Sequence, residues 1–225
     1  MHWSLVVVAK APIPGEVKTR LCPPLTFGEA ADLAAAAFLD TLALAEATVD
    51  GDSERLVLAI DGELTEATRG RELVAATRDW RVVQQRGATL GERLVDAHRQ
   101  AAALRPGHAS VQIGMDTPQA SPAHVHAAAG QLLCNDAVLG EAYDGGWWLL
   151  ALRDPHAADV LGAVAMSRAT TGLHTRQALQ ARGCSVGSAA AARDIDGWSD
   201  ALAAARIAPS SRTAAFVDAV SLRLL

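Results

Sequence analysis

Three features that would point quickly to a function class are scarce or missing. Cysteine is sparse: Cys22, Cys134 and Cys184 are scattered along 225 residues. An odd, widely spaced set is neither a disulfide framework nor a zinc-ligand pattern, and it suits a reducing compartment. Long apolar runs are absent. Nothing approaches the roughly 20 residues that cross a bilayer, and the longest compact block, Trp147–Leu152, has the length of a strand. Basic surplus is also missing, since the formal net charge is −5, which argues against a general nucleic-acid surface. Leu5–Ala9 is too short, and too poor in flanking basic residues, to be the apolar region of an export signal. The expectation is a cytoplasmic protein with no nucleic-acid or membrane partner, its oligomeric state left open.

What is present is an alternation of strand-like and helix-like segments. Half the residues are hydrophobic and 20% are charged, the balance of a globular chain. Trp3–Ala9 reads as a strand buried on both faces. A proline-rich loop, Lys10–Thr26, precedes an Ala- and Leu-rich helix over Gly28–Thr48. Arg55–Ile60, Trp80–Gln85 and Ser110–Met115 read as further strands. Thr89 and Glu92 are spaced as the capping box of a helix over Leu90–Leu104. Pro122 opens another helix, running to about Leu133. Ala137–Gly140 and Trp147–Leu152 are strands around the turn Tyr143–Gly146, and Cys184–Ser188 is a last short strand. Pro155–Val164, Thr170–Ala181, Trp198–Ala205 and Ser211–Leu224 read as helices. This order predicts one α/β domain over residues 1–225, a mostly parallel sheet with helices on both faces. Ligands of such sheets sit beyond the carboxyl ends of the strands, which directs attention to Lys10 and its loop, Asp116 and the turn at 141–146.

The loop AKAPIPGEVKTRL, residues 9–21, is not a Walker A loop. Glu16 and Val17 separate Gly15 from Lys18, whereas that motif puts glycine directly before lysine. What remains is a proline-stiffened loop carrying Lys10, Lys18 and Arg20, side chains suited to phosphate oxygens. A solvated basic turn has the same composition.

Acidic residues form the second pattern. Asp116 ends an apolar strand, and Asp194 and Asp196 alternate across Ile195. In extended backbone these two point the same way. Joined by Asp116, they would make a hard-oxygen set suited to Mg²⁺ or Mn²⁺. The competing use is capping of the helix that begins near Gly197. The third pattern is Glu141-Ala142-Tyr143-Asp144-Gly145-Gly146, a tight turn by the usual Asp-Gly signal and a place where backbone can approach a ligand closely. His124 and His126, two apart on a helix, do not share a face. Ser167–Thr171 is a polar connecting stretch that could order over an acceptor, and no G-x-S-x-G nucleophile turn occurs.

In this order the blocks AKAPIPGEVKTRL (9–21), GATLGERL (87–94), IGMDTP (113–118), LGEAYDGGWWLLAL (139–152) and RDIDGWSDA (193–201) resemble a bacterial branch of the GT-A glycosyltransferases, the nucleotide-diphospho-sugar transferase superfamily. That branch is similar to the 2-phospholactate and phosphoenolpyruvate guanylyltransferases. The resemblance implies a Rossmann-like GT-A fold with a mixed sheet. It implies that the nucleotide lies over the first loop, with Lys10, Lys18 and Arg20 on its phosphates and base side, and Gly91 and Glu92 nearby. It implies Mg²⁺ or Mn²⁺ at Asp116, Asp194 and Asp196, and an acceptor facing Asp144, Gly145, Gly146 and Trp147. Met115, Thr117, Glu141, Trp147, Trp148 and Gly197 depart from the usual pattern of the branch without removing a carboxylate or a lysine. The glycine-rich loop of the molybdenum-cofactor nucleotidyltransferases is absent.

The resulting expectation is a metal-dependent transferase that takes a sugar nucleotide or nucleoside triphosphate and a small acceptor. Asp116 and Lys18 are its catalytic residues and glycosyl transfer the first choice. Nucleotidyl transfer to a phosphorylated small acid, with release of pyrophosphate, needs the same donor site. A non-catalytic nucleotide-binding protein is the alternative from another class.

Overall fold

The computed structural model describes residues 1–224. Its centre is a seven-stranded sheet in the order β3-β2-β1-β4-β6-β5-β7. The strands are β1 (Trp3–Lys10), β2 (Leu56–Asp61), β3 (Arg81–Gln84), β4 (Ala109–Gly114), β5 (Ala137–Ala142), β6 (Trp147–Leu152) and β7 (Val186–Ala192). Only β6 runs antiparallel to its neighbours, β4 and β5. The sheet is thus mixed and mostly parallel, as expected. β7 begins two residues later than the sequence suggested and runs four residues further, to Ala192.

The helices are α1 (Phe27–Val49), α2 (Gly70–Ala76), α3 (Leu90–Leu104), α4 (Pro122–Gln131), α5 (Thr171–Ala181), α6 (Trp198–Ile207) and α7 (Arg212–Leu224). The capping box expected from Thr89 and Glu92 starts α3, and a second one, Thr26 with Glu29, not among the expectations from sequence, starts α1. Pro155–Ala163 is a 3₁₀ segment in place of the expected α-helix, and the short helix α2 lacked a periodic signal.

Strand alternation decides the layers. Leu5, Val7, Leu58, Ile60, Val111 and Ile113 point to the face covered by α1 and α4, where Phe38 is fully buried. Val6, Val57 and Ala59 point the other way, onto Ala97 and Ala101 of α3. Leu139, Leu150 and Leu152 continue that second face onto Leu94, Leu161 and Leu179. A further layer, α6 and α7, packs on the outside of α1 through Leu33, Ala37, Ala204 and Val217. Burying a side chain of this size contributes about 1.5–3 kcal/mol. No helix among the described residues is long and apolar enough to cross a membrane.

The chain leaves β1 to build β2 and β3 on one side, then returns to place β4 on the other. Connections diverge at β1 and β4, so their carboxyl ends open a crevice. Lys10 ends β1, and Asp116 lies two residues past β4.

Candidate active site

The crevice is a cleft of about 740 Å³, within the range of small-molecule sites. Lys10, Lys18, Arg20, Asp116, Asp144, Gly146, Trp147, Asp194 and Asp196 all line it. The structure therefore gathers most of the predicted residues, drawn from four separate segments, around one space.

Its charged end is organised by Lys18. This residue adopts a left-handed backbone (φ 50°, ψ 32°) as the chain enters the 3₁₀ turn Thr19–Leu21, a conformation uncommon for a residue with a side chain. The Lys18 ammonium lies 2.6 Å from Asp116 Oδ2 and 3.5 Å from Asp196 Oδ1. Burial works to lower its pKa, but the Asp116 carboxylate, with help from Asp196 and Asp194, outweighs that and raises it. Arg20 is far more exposed and stands 3.7 Å from Asp196 Oδ2. Lys10 turns back on its own loop, 3.3 Å from Glu16 Oε2.

The backbone N–H of Ile195 donates to Asp116 O (3.1 Å). That bond fastens the segment after β7 to the end of β4 and explains how residues so distant in sequence meet. Asp194 accepts from the Thr117 hydroxyl (2.9 Å). Burial and then the neighbouring Asp116 carboxylate push the Asp194 carboxyl up to about 7, against the pull of Thr117 and Lys18. The alternative role of Asp194 and Asp196, capping α6, is taken by another residue: Gly197 N–H donates to Asp200 Oδ2 (2.8 Å).

Asp116 and Asp196 share one cation, the Lys18 ammonium. Among the described residues, however, no three Asp, Glu, His or Cys side chains stand together as a ready metal cage. Asp194 Oδ1 is engaged by the Thr117 hydroxyl. Magnesium is commonly bound by one or two carboxylates together with substrate phosphates, and the pair Asp116 and Asp196 fits that pattern. The three-carboxylate set expected from the sequence is not assembled.

Gly91, Glu92 and Gly145 do not line the cleft. Glu92 is occupied at the start of α3, where Oε2 accepts from Ala88 N (2.7 Å). Gly91 lets α3 approach the 3₁₀ segment, since a Cβ there would lie 2.3 Å from Leu161 O. Gly145 has φ +87°, and a Cβ would lie 2.0 Å from Ala169 O. It packs the β5–β6 turn against the 165–171 loop. Asp144 Oδ1 accepts from Gly146 N (2.8 Å), so the turn is both a hairpin and a cleft wall. Trp147 donates to Thr175 Oγ1 (3.2 Å), and Trp148 to Ala190 O (2.9 Å).

Other residues line the cleft without having been singled out as site candidates from the sequence. Arg93 pairs with Asp61 at 2.5 Å. Gln85 donates Nε2 to Ala9 O and Ala59 O, both at 2.8 Å. Arg168 lines the cleft, and among the described residues its guanidinium has no protein partner. A signal existed for Arg168 in the polar stretch 167–171 and for Arg93 in the block 87–94; Gln85 became visible only through the fold.

Residues 43–168 match the model of a family described as an uncharacterized protein conserved in bacteria, DUF2064. The chain belongs to that family. No curated protein matches it. This DUF2064 chain is similar over 99% of its length to 96% of a protein from Desulfovibrio desulfuricans G20 assigned as a nucleotide-diphospho-sugar transferase, at 25% identity and a TM-score of 0.83. It has the same fold as the 4-diphosphocytidyl-2C-methyl-D-erythritol synthase of Anaerococcus prevotii DSM 20548, at 12% identity, a TM-score of 0.55 and coverage of 89% and 96%. It also resembles Rv0371c of Mycobacterium tuberculosis H37Rv, a structure in complex with manganese, at 19% identity, a TM-score of 0.50 and coverage of 91% and 98%. The fold expected from the sequence is thus the fold found.

Proposed function

We propose that this DUF2064 chain is a metal-dependent transferase with a nucleotide donor. The observation that carries the reading is the Lys18 ammonium lying between Asp116 and Asp196 at the mouth of the cleft. It supplies a cation for phosphate oxygens beside carboxylates suited to a divalent ion. The likeness to a nucleotide-diphospho-sugar transferase across nearly the whole chain supports the same reading.

Asp116 and Asp196 would hold Mg²⁺ or Mn²⁺; when bound, such an ion neutralises charge building on departing phosphates. Lys18 turns from the carboxylates toward the donor phosphates and holds their oxygens. Arg20, exposed at the rim, adds a two-pronged donor for a terminal phosphate. The apolar walls, including Trp147, exclude water and strengthen each of these interactions. Asp144, Gly146 and Arg168 border the space left for an acceptor.

Glycosyl transfer from a sugar nucleotide remains the first choice. One observation favours nucleotidyl transfer to an acidic acceptor: Arg168 faces the cleft without a protein partner, a free site for a carboxylate or phosphate. Two incubations with Mg²⁺ separate the readings. Pyrophosphate released from a nucleoside triphosphate and a phosphorylated carboxylic acid indicates nucleotidyl transfer. Nucleoside diphosphate released from a sugar nucleotide indicates glycosyl transfer. Failure of every nucleotide to raise the melting temperature, with or without Mg²⁺ or Mn²⁺, overturns the proposal; a ligand at 100 times its Kd stabilises by about 2.7 kcal/mol.

A further inference from the structure

Beneath the cleft lies a buried polar group that the transfer chemistry does not use. His98 of α3 is fully buried against the sheet. Its Nδ1 lies 2.8 Å from Ser110 Oγ and its Nε2 lies 2.9 Å from Gln112 Oε1. Ser110 and Gln112 are two apart on β4 and so share its α3 face. The hydrogen-bond polarity follows from satisfying donors. The Ser110 hydroxyl has no other acceptor, so it donates to Nδ1. The ring proton is then on Nε2 and donates to Gln112 Oε1. Burial pushes the imidazole pKa down to about 4, so the ring is neutral at ordinary pH and the arrangement persists.

This chain of bonds settles which way the Gln112 amide faces. Its oxygen is bound to His98, and its Nε2 makes no hydrogen bond within the described residues. Gln112 is only 3% exposed, yet it lines the cleft. Its Nε2 is not sealed from the cleft either, for Gln119 Oε1 is the one sealed, unpaired side-chain polar atom among the described residues. An unpaired donor therefore sits on the cleft floor. Val8, Leu94 and Trp147 line the same cleft, and Asp116 follows Gln112 by four residues, past the end of β4.

We propose that Gln112 is a specificity-determining residue, presenting its Nε2 hydrogens to a neutral carbonyl or hydroxyl oxygen on the ring portion of the bound nucleotide, and that His98 is the positioning residue that locks this orientation. The inference rests on the nucleotide reading above. It goes beyond it by dividing the cleft: phosphates at the Lys18 end, an uncharged ring on the Gln112 floor. The Gln112 amide is itself neutral, so it suits an uncharged oxygen better than a phosphate, whose charge it cannot offset. A site built to donate a hydrogen bond discriminates strongly against a ligand lacking the acceptor.

The test is calorimetric titration of the full chain, with Mg²⁺, using CDP, UDP, GDP and ADP, and pyrophosphate as the ring-free control. Gln112→Met keeps the length and removes the donor. It is expected to weaken the best nucleotide by about 5–30-fold, the scale of one hydrogen bond lost in a buried site, with pyrophosphate unchanged within about 2-fold. His98→Gln, which retains a donor near the Nε2 position, should preserve the nucleotide-to-pyrophosphate ratio, and His98→Leu should lower it. A purely structural role for His98 would not separate these two variants in that ratio. Wild-type nucleotide affinity in folded Gln112→Met overturns the inference and leaves the transferase reading intact. No binding of any nucleotide by wild type overturns both. If Gln112→Met does not fold, the ¹⁵N side-chain amide resonance of Gln112 in wild type decides: it shifts on nucleotide addition but not with pyrophosphate, and an unmoved resonance overturns the inference.

Discussion

At the mouth of the cleft, Asp116 and Asp196 flank the Lys18 ammonium, and burial, then the Asp116 carboxylate, push Asp194 up to about 7. On the floor, His98, Ser110 and Gln112 are more deeply buried still, and all are neutral. The mouth tolerates charge because Asp196 and Arg20 remain partly in solvent and each carboxylate has a cation or hydroxyl at hand. The floor is nearly closed to solvent, and its polar groups satisfy one another by hydrogen bonds, apart from the Gln112 Nε2 left at the cleft. The difference teaches that the polarity of this cleft is graded, from a charged end at Lys18 to a neutral, hydrogen-bonded end at Gln112.

The sharpest way to break that contrast is to remove the cation at the mouth. Lys18→Met should lower turnover by about 10²–10³-fold, the usual effect of deleting one group that stabilises developing charge. Initial-rate measurements at saturating donor check it, and near-wild-type turnover would deny Lys18 any part in the chemistry.

The next largest effect concerns the floor and pH. The folded pKa of His98, about 4, lies below the ordinary value of 6.5, so the unfolded chain takes up the proton first. Stability from this residue is complete above pH 6.5 and is lost as pH falls towards 4, by roughly 3 kcal/mol in all. His98→Gln cannot titrate. Its stability relative to wild type should therefore rise by that amount between pH 7.5 and pH 4, measured by urea unfolding. An unchanged difference would mean that His98 is not buried neutral.

A smaller effect falls on the wall that both ends share. Gly145→Ala places a methyl against Ala169 O at a left-handed backbone position. It should cost about 1–3 kcal/mol, seen as a lower melting temperature, together with poorer acceptor use as the 165–171 loop shifts. Smallest is Glu92→Ala. Losing the α3 capping box should cost about 1 kcal/mol and leave nucleotide affinity unchanged. A large affinity loss would return Glu92 to the binding site.

Much of the fold was legible because its signals are local. β1 reads as an unbroken apolar run, α3 declares its start through Thr89 and Glu92, and Pro122 opens α4. Helix α2 was missed because seven residues carry too little periodicity. The charged mouth was legible as two unusual patterns, the loop carrying Lys18 and the alternating Asp194 and Asp196. Their spacing in sequence did not reveal that Lys18 would stand between Asp116 and Asp196, or that the Thr117 hydroxyl would donate to Asp194. His98 was readable in principle. Leu94, His98 and Ala101 fall on one helical face, which marks the histidine as inward-facing.

By itself, then, the amino-acid order determined the alternation of strands and helices and the chemistry available at each strand end. Such properties depend on neighbours a few residues apart. Tertiary structure alone decided which strand ends meet, that Asp200 and not Asp194 or Asp196 caps α6, and that Gln112 turns its amide nitrogen toward the cleft. Those outcomes depend on β1 lying beside β4 and on α3 lying across both, arrangements set by packing the whole sheet and not by any single stretch of chain.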